Sequence, residues 1–246
     1  MQATGKVALL TGAKRIGAVV AEALAADGID VALTYHRSNV EADTTVNTVR
    51  AAGRRAIAIQ ADLGRVEGCR RVVETTLREL GRLDIFIAMA GLYENTPFNS
   101  LTPEIWDAQM NVELRSAFLC AHAAVPAMRG AGGGRIVFFS DWLPTSGRPR
   151  YQGMLTYYVA KAGLKALTEA MALELAGDQI LVNAIAPGPI LAPPSTTAEE
   201  HASVASATPL GRWGGAAEIV KAVRFLIQTD FVTGETIRID GGRHLK

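Results

Sequence analysis

Cysteine is scarce in this chain of 246 residues, with only Cys69 and Cys120 present. The two positions lie far apart in the sequence and form neither a metal-ligand spacing nor a redox motif. A disulfide-stabilised scaffold and a cysteine-based metal site are therefore not expected, and no metal ion is predicted at the functional site. The composition instead predicts two buried, free thiols in a protein of a reducing compartment.

Long apolar runs are also missing. No stretch of about 18 uninterrupted apolar residues occurs, which is roughly the length that a membrane-spanning helix needs. The first residues run into only four strongly apolar positions, too few for the core of a signal peptide. We therefore expect a cytoplasmic protein without a membrane anchor.

Neither sign of charge is in excess, because 25 basic and 24 acidic residues give a net charge of +1. Such a balance provides no broad field for holding a polyanion or an anionic membrane, so nucleic acid is not an expected partner. What the chain does have is 49% hydrophobic residues, ample for a sizeable core. Its length fits one α/β domain of barrel or doubly wound type, or two small domains.

Short apolar runs alternate with longer stretches of helical period. Most of the runs are apolar at nearly every position, which is typical of parallel strands covered on both faces. The predicted strands are Val7 to Leu10, Val31 to Tyr35, Ala56 to Gln60, Ile85 to Ala90, Arg135 to Ser140, Ile180 to Ala186 and Thr236 to Ile239. The predicted helices are Ala18 to Ala26, Glu41 to Ala52, Glu67 to Leu80, Pro103 to Met128, Tyr157 to Ala176 and Ala216 to Ile227. This alternation predicts a single α/β domain over residues 1–246 with a doubly wound parallel sheet of about seven strands, a Rossmann fold.

The segment from Pro187 to Pro209 has no clear secondary structure in the sequence, and it contains five prolines and many small residues. Long connections in compact domains are usually lids or binding loops. We therefore expect a substrate loop near residues 188–210.

Tyr157 and Lys161 stand at the head of a predicted helix. Four residues make about one helical turn, so both side chains leave the same face. A phenol has a pKa of about 10, and a neighbouring cation stabilises its ionised form and moves this pKa toward the neutral range. The pair is a candidate acid/base centre, although the same spacing also occurs where a tyrosine and a lysine only pack on a helix.

A glycine turn follows the first predicted strand, with the sequence Thr11-Gly12-Ala13-Lys14-Arg15-Ile16-Gly17. Glycines at a strand-to-helix turn let backbone N–H groups approach a pyrophosphate, and the helix N-terminus adds partial positive charge. We therefore predict cofactor contacts at Gly12, Lys14, Arg15, Ile16 and Gly17.

The residues after the second predicted strand indicate whether a nicotinamide enzyme binds NAD or NADP. An acidic residue there would accept hydrogen bonds from the ribose hydroxyls of NAD and would repel a 2'-phosphate. This chain has His36, Arg37 and Ser38 instead. A guanidinium group and a hydroxyl, assisted by Arg15, favour binding of NADP(H).

Taken in order, these features resemble the short-chain dehydrogenase/reductase family along nearly the whole chain. The matching features are the glycine turn from Thr11 to Gly17, Asp62-Leu63, Ala90-Gly91, Asn111, Tyr157 with Lys161, Asn183 with Pro187-Gly188, and Thr233-Gly234 followed by Asp240-Gly241-Gly242. The resemblance implies hydride transfer between a nicotinamide and a substrate carbon. It also implies a homotetramer built partly from the helices that carry Asn111 and Tyr157.

The resemblance implies a role for each matching residue. Tyr157 passes a proton to or from the substrate heteroatom, and Lys161 holds the nicotinamide ribose and lowers the pKa of the tyrosine. Asn111 helps to anchor a water chain that resupplies the proton. The further cofactor contacts that it implies are Asp62, Leu63, Ala90, Gly91, Lys161, Pro187, Gly188 and Ile190.

The family's catalytic serine has no unambiguous counterpart in this chain. Its place at the end of the fifth strand falls on Asp141, with Ser140 one residue earlier. Adjacent strand positions point to opposite faces, so the two side chains are not expected to reach the substrate together. Asp141 and Ser140 are both candidate catalytic residues, and Thr145 and Ser146 are outside candidates because the segment before Tyr157 is longer than is usual in the family.

Pteridine reductases, a branch of this family, combine an aspartate at this place with a Lys-Arg glycine turn and a His-Arg-Ser after the second strand. The corresponding residues here are Asp141, Lys14-Arg15 and His36-Arg37-Ser38, and Tyr93 stands where an aromatic ring stacks on the pterin. A carboxyl group beside the phenol suits a C=N substrate, because it can bind an amino-pyrimidine edge or relay a proton to a ring nitrogen.

The sequence thus predicts an NADP(H)-dependent oxidoreductase that acts on a small carbonyl or imine substrate. A pteridine reductase and a non-catalytic NADP(H)-binding sensor are the alternatives. The expected substrate pocket is largely apolar with few polar groups. Its predicted contacts are Tyr93, Asp141, Trp142, Leu143, Met154 and Tyr157.

Overall fold

Seven parallel strands form one sheet, in the order β3-β2-β1-β4-β5-β6-β7. The structure is a computed structural model that describes residues 1–12, 14–147 and 149–246. In these residues the strands are β1 (Val7–Thr11), β2 (Asp30–Tyr35), β3 (Ala56–Gln60), β4 (Ile85–Ala88), β5 (Gly134–Phe139), β6 (Ile180–Pro187) and β7 (Thr236–Ile239). Every adjacent pair is parallel. The predicted doubly wound sheet of a single Rossmann-fold domain is therefore confirmed.

Helices cover both faces of this sheet. They are α1 (Ile16–Ala26), α2 (Asn39–Ala51), α3 (Val66–Leu80), α4 (Pro103–Met110), α5 (Ser116–Gly130), α6 (Trp142–Thr145), α7 (Leu155–Leu175), α8 (Ala198–Ser206) and α9 (Ala216–Gln228). Successive residues of β1 pack on opposite faces, as the pleat of a strand requires. Leu9 joins the apolar cluster under α3, α5 and α7, whereas Leu10 joins the cluster under α1, α2 and α9.

The stretch predicted as a helix from Pro103 to Met128 is helical throughout, but it contains a π-helical turn that was not predicted. α4 ends at Met110, the residues Asn111–Arg115 form a π-helical turn, and α5 begins at Ser116. A π turn contains more residues than an α turn, so it changes which side chains face inward. Glu113 lies in this turn and is only 1% exposed.

The fourth strand is shorter than predicted, because it ends at Ala88 rather than at Ala90. Beyond this point the amides of Met89 and Ala90 donate hydrogen bonds to Oγ1 of Thr11 at 3.0 and 3.1 Å. The chain therefore leaves the strand ladder here and is held against the end of β1.

Two helices, α6 and α8, lie in segments without a helix prediction. The side chain of Asp141 caps α6 by accepting from the amide of Leu143. α8 lies within the proline-rich segment and begins with a capping box, in which Thr197 and Glu200 each accept from the backbone of the other. A Thr followed three residues later by Glu is a sequence signal for a helix start, so α8 was predictable.

The strand order reverses between β1 and β4, and this produces a crevice at the carboxyl ends of the strands. The turn after β1 borders this crevice. Gly12 adopts a φ of +93°, a conformation that favours glycine, and its amide donates to Oγ1 of Thr34 at the end of β2. The crevice is thus bordered by backbone from two neighbouring strands.

Cys69 and Cys120 are both free and buried, as predicted. The thiol of Cys120 lies 3.8 Å from the carbonyl oxygen of Cys69, at the packing surface between α3 and α5. Among the described helices, none is both long and apolar enough to cross a membrane.

We predict that Gly17→Ala destabilises the fold. A Cβ at Gly17 would lie 2.0 Å from the carbonyl oxygen of Gly12, so the glycine turn must shift to accommodate it. Forced overpacking of this kind costs about 1–3 kcal/mol. Thermal unfolding measures the loss, and Gly130→Ala is the matched control because nothing lies within 4 Å of its added Cβ. Equal melting temperatures for the two variants would contradict the steric argument.

Candidate active site

Tyr157, Lys161 and Asp141 converge at the carboxyl end of the sheet. Asp141 follows β5, and the other two lie one turn apart on α7. The hydroxyl of Tyr157 donates a hydrogen bond of 2.9 Å to Oδ2 of Asp141. Oδ1 of the same carboxylate accepts from the amide of Leu143 at 2.8 Å. This second bond fixes the orientation in which the carboxylate faces the phenol.

Burial changes the protonation of both groups. It raises the pKa of Asp141 to about 6, although hydrogen bonds from Leu143 and Tyr157 act in the opposite direction. Burial also raises the pKa of Tyr157 well above its ordinary value, and the carboxylates of Asp141 and Glu113 act in the same direction. The family resemblance implies a lowered tyrosine pKa. The arrangement here has the opposite effect because the phenol is buried and faces two carboxylates.

Lys161 is buried and has two polar partners. Its Nζ donates to the carbonyl oxygen of Phe139 at 2.7 Å and lies 2.7 Å from Oε2 of Glu113. The same ammonium is 5.6 Å from the centroid of the Tyr157 ring. The lysine is therefore held between the end of β5 and the π-helical turn, beside the tyrosine.

Glu113 is the residue of this centre that the sequence interpretation missed. Its Oε1 accepts from the amide of Leu92 at 2.6 Å and from Nε2 of Gln109 at 3.2 Å. A Cβ at Gly91 would lie 2.7 Å from Oε1, so only glycine leaves room for the carboxylate at that position. The available signal was an acidic residue inside an otherwise amphipathic helical stretch, since such a residue is costly to bury without a partner.

In the described part of the chain, the side chain of Asn111 contacts Arg115 rather than Tyr157 or Lys161, and its role in a water chain stays a prediction. Its Oδ1 accepts from Nη1 of Arg115 at 3.3 Å, in an exposed contact. Glu113, two residues further on, contacts Lys161 instead. Glu113 lies in the π-helical turn and faces inward, at the i, i+4 spacing from the buried Gln109.

The hydroxyl candidates lie away from Tyr157. Ser140 is buried and donates to the carbonyl oxygen of Lys161 at 2.8 Å, so it holds the backbone of α7. Thr145 donates to the carbonyl oxygens of Asp141 and Trp142, and Ser146 donates to that of Leu143. Of the four candidates, Asp141 is the one that contacts the phenol.

The glycine turn lies at the start of α1, which begins at Ile16. Lys14 forms an exposed ion pair of 3.3 Å with Glu41 of α2. Arg15 has a φ of +53°, and its guanidinium donates to the carbonyl oxygens of Leu191 and Ala192 at 2.9 and 2.8 Å. Arg15 therefore joins the turn to the beginning of the proline-rich segment, whereas the sequence interpretation assigned it to a phosphate.

The cationic residues after β2 are exposed at the edge of the crevice. His36 and Arg37 are solvent-exposed, and Ser38 is half-buried at the start of α2. Within the described part of the chain, the guanidinium of Arg37 forms no ion pair with a carboxylate. Asp62, at the end of β3, accepts from the amide of Gly64 and pairs with Arg65 at 3.3 Å. The neighbouring side chain of Leu63 is buried in the core.

The residues after β6 approach the same crevice from the other side. The amide of Gly188 donates to the carbonyl oxygen of Ile239 at 2.9 Å, and a Cβ on Gly188 would lie 2.5 Å from Cβ of Asp240. Pro187 ends β6 and Ile190 is buried. Ala90, whose amide is held by Thr11, lies opposite at the end of β4.

The chemistry of the crevice suits a dinucleotide. Gly12 and Gly17 have no side chains of their own to obstruct a pyrophosphate, and the turn leads into the N-terminus of α1. At the end of β2 the exposed cation Arg37 stands where an acidic residue would repel a 2'-phosphate. A nicotinamide dinucleotide would thus be held by the glycine turn, by the residues after β2 and by Lys161.

The four apolar and aromatic residues predicted to contact substrate, besides Tyr157, lie in three environments. The ring of Tyr93 is 70% exposed and stands edge-on to that of Tyr157, with 5.2 Å between centroids. Leu143 and Met154 line a cavity of about 620 Å³ beside the centre. Trp142 is buried, with the guanidinium groups of Arg150 and Arg243 5.2 and 5.7 Å from its ring centroid. Trp142 therefore packs against charged side chains and does not line that cavity.

Comparisons with known proteins agree with this geometry. A family model described as enoyl-(acyl carrier protein) reductase matches residues 12–244. The chain is 35% identical to a 3-oxoacyl-[acyl-carrier-protein] reductase of Synechocystis over 97% of both chains. A short-chain dehydrogenase of Burkholderia cenocepacia in complex with NADP is 34% identical, with a TM-score of 0.92 over 99% of both chains. A blue fluorescent protein from a metagenomic library, in complex with NADPH, is 32% identical, with a TM-score of 0.90 over 99% of both chains.

The chain therefore belongs to the short-chain dehydrogenase/reductase family, a family of oxidoreductases. Its centre contains two carboxylates, the half-buried one of Asp141 at the tyrosine and the buried one of Glu113 at the lysine.

We predict that the carboxyl group of Asp141 titrates near pH 6. Its burial disfavours the charged form, so the pKa is raised to about 6. Carbon-13 NMR of protein labelled at the aspartate carboxyl carbons should show one resonance titrating in this range, and Asp141→Asn should remove it. Asp84→Asn is the matched control, because the pKa of the Asp84 carboxyl is lowered. A spectrum in which every aspartate titrates well below pH 6 would contradict the assignment.

Proposed function

We propose that the protein is an NADP(H)-dependent oxidoreductase that reduces a carbonyl group on a small molecule, with Tyr157 as the proton donor. The observation that carries this proposal is the hydrogen bond of 2.9 Å between the hydroxyl of Tyr157 and Asp141, beside the buried ammonium of Lys161. Further support comes from relatives named as 3-oxoacyl-[acyl-carrier-protein] reductases and from similar structures that contain NADP or NADPH.

Tyr157 and Lys161 have different roles in such a reaction. A reduced nicotinamide, when bound, supplies the hydride for the substrate carbon. Tyr157 donates its phenolic proton to the substrate oxygen, so that the carbonyl becomes an alcohol. Lys161 holds the ribose side of the site, as the family resemblance implies, while the carbonyl oxygen of Phe139 fixes the direction of its ammonium.

Asp141 controls whether the phenol proton is available. When its carboxylate is charged, it accepts the proton of Tyr157 in a hydrogen bond and holds it away from a substrate. When its carboxyl is protonated, it can donate to the phenol oxygen and leave the phenol hydrogen free for the substrate. After transfer, the same carboxyl can return a proton to the phenolate, so Asp141 is suited to a proton relay.

A second candidate function, reduction of a C=N bond in a dihydropterin, is favoured by two placements. Asp141 offers a carboxyl group to a ring nitrogen at the phenol, and Tyr93 presents an exposed ring beside Tyr157. The first candidate is preferred because the named relatives act on a 3-oxoacyl group.

Oxidation of NADPH with a 3-oxoacyl thioester, a diketone, a quinone and a dihydropterin distinguishes the carbonyl reductase from the dihydropterin reductase. Binding of NADPH without turnover of any of these compounds would favour a non-catalytic sensor.

We also propose a homotetramer, built partly from α5 and α7. Its support is the family resemblance together with exposed apolar side chains on these helices and on α4, since contiguous exposed apolar surface is typical of subunit contacts. These side chains are Trp106, Phe118, Leu155 and Val159. The cytoplasmic location remains a proposal from composition.

We predict that Arg37→Ala weakens the binding of NADPH but not of NADH. A charge-assisted hydrogen bond to a phosphate contributes about 1.5–3 kcal/mol, so the dissociation constant for NADPH should rise by roughly 10-fold to 100-fold. Fluorescence titration of both cofactors measures the difference. Arg129→Ala is the control, because Arg129 pairs with Asp178 near the amino ends of β5 and β6, away from the carboxyl ends that border the crevice. An equal effect on NADH would argue against a 2'-phosphate contact.

We predict that Tyr157→Phe abolishes turnover while NADPH binding is retained. The ring and its packing remain, but the proton donor is lost, and general acid catalysis contributes about 10²-fold to 10⁴-fold in rate. Steady-state oxidation of NADPH with the substrate panel measures turnover, and a fluorescence titration measures binding. Tyr158→Phe, on the next residue of α7, is the matched control. A normal rate for Tyr157→Phe would refute the proposed function.

A further inference from the structure

Glu113 is a buried carboxylate to which the proposed reaction assigns no role. Oε1 is held by the amide of Leu92 and by Gln109. Oε2 lies 2.7 Å from Nζ of Lys161, and within the described residues this oxygen has no hydrogen-bond partner besides that ion pair. Burying a charged carboxylate is costly, so its position against the lysine of the centre requires a reason.

The position of Glu113 changes the charge around the phenol. The charged or titratable groups that face Tyr157 are Asp141 after β5, Glu113 in the π-helical turn, Lys161 on the same helix and Tyr93 after β4. One ammonium faces two carboxylates, which gives a net charge of −1 when both carboxylates are ionised. The ammonium therefore does not act on the phenol as an uncompensated cation, and the phenol resists losing its proton.

We propose that Glu113 is a positioning residue that holds Lys161 and keeps Tyr157 protonated, so that the proton donor needed for reduction stays populated to high pH. This inference deepens the proposed function and rests on it. In reduction, a hydride from the nicotinamide adds to the carbonyl carbon, and the proton of Tyr157 adds to the oxygen. Oxidation of an alcohol requires the reverse, in which a phenolate must already exist to accept the hydroxyl proton. A centre that disfavours the phenolate therefore needs a higher pH for oxidation.

The environment of Glu113 selects a carboxylate rather than an amide. Oε1 could be replaced by an amide oxygen, which would still accept from Leu92. The amide nitrogen would then face the ammonium of Lys161, and two donors cannot satisfy each other. In Glu113→Gln the buried cation would have to be compensated by another group, and the phenol of Tyr157 is the ionisable neighbour over whose ring it lies.

The first test is an ultraviolet titration of tyrosinate in the protein without cofactor or substrate. Subtracting the titration of Tyr157→Phe isolates the contribution of Tyr157. We expect its ionisation in wild type at higher pH than for free tyrosine, at clearly lower pH in Glu113→Gln, and near the wild-type pH in Glu113→Asp, which retains the charge. Glu169→Gln is the matched control, because Glu169 pairs with Lys165 on the exposed face of α7, the helix that carries Tyr157 and Lys161.

The second test is the pH dependence of the reaction in both directions. For Glu113→Gln, the pH at which alcohol oxidation begins and the pH at which reduction declines should both move downward, by about one pH unit for each tenfold rise in the acidity of the phenol. A purely structural role would lower both rates together and leave the profile in place, and that result would overturn the proposal.

The tyrosinate titration also separates this inference from the proposed function. A shifted titration in a protein that turns over none of the tested compounds would support the role of Glu113 and refute the carbonyl reductase. Turnover of a carbonyl compound by wild type, together with an unshifted tyrosinate titration in folded Glu113→Gln, would support the carbonyl reductase and refute the role of Glu113. If Glu113→Gln does not fold, wild type alone decides: ionisation of Tyr157 at or below the pH of free tyrosine would overturn the proposal.

Discussion

The buried ammonium of Lys161 is the constraint on which the rest of the centre depends. A cation removed from water must be paired and hydrogen-bonded, or it loses its proton. Here the carbonyl oxygen of Phe139 and the carboxylate of Glu113 each lie 2.7 Å from Nζ. Glu113 compensates the positive charge of Lys161, which would otherwise stabilise the phenolate of Tyr157. The acidity of Tyr157 therefore depends on Glu113, the partner of the lysine, as much as on Lys161 itself.

The fold brings these groups together through elements that are distant in sequence. Ser140, at the end of β5, donates to the backbone carbonyl of Lys161 and fixes α7 against the sheet. The next residue, Asp141, points to the other side, where it meets Tyr157. One strand end thus positions the helix with one side chain and the phenol with the next, which follows from the alternation of side chains along a strand. Glu113, in the π-helical turn, contacts the ammonium of Lys161.

The sequence was sufficient for the features that depend on local periodicity. Apolar runs predicted the strands, because both faces of a parallel sheet are covered, and the spacing of Tyr157 and Lys161 placed both side chains on one helical face. It was insufficient where the family pattern and the helical spacing disagree. Asn111 was assigned from the family resemblance, whereas Glu113 is the residue with inward-facing i, i+4 spacing to the buried Gln109 and Ala117. The contact of Arg15 with Leu191 and Ala192 joins turns far apart in the chain and has no local signal.

The two ends of the crevice differ in charge, and this difference limits how a ligand can lie in it. At the end of β2, Arg37 is exposed without a carboxylate partner in the described residues, which suits an anionic group. At the tyrosine, two carboxylates outnumber one ammonium, which disfavours an anionic group and disfavours the phenolate. The proposed NADP(H) would match both ends in one orientation, with its additional phosphate at Arg37 and its nicotinamide at Tyr157. In that orientation the positive charge of an oxidised nicotinamide would lie at the end of the crevice where carboxylates outnumber the ammonium.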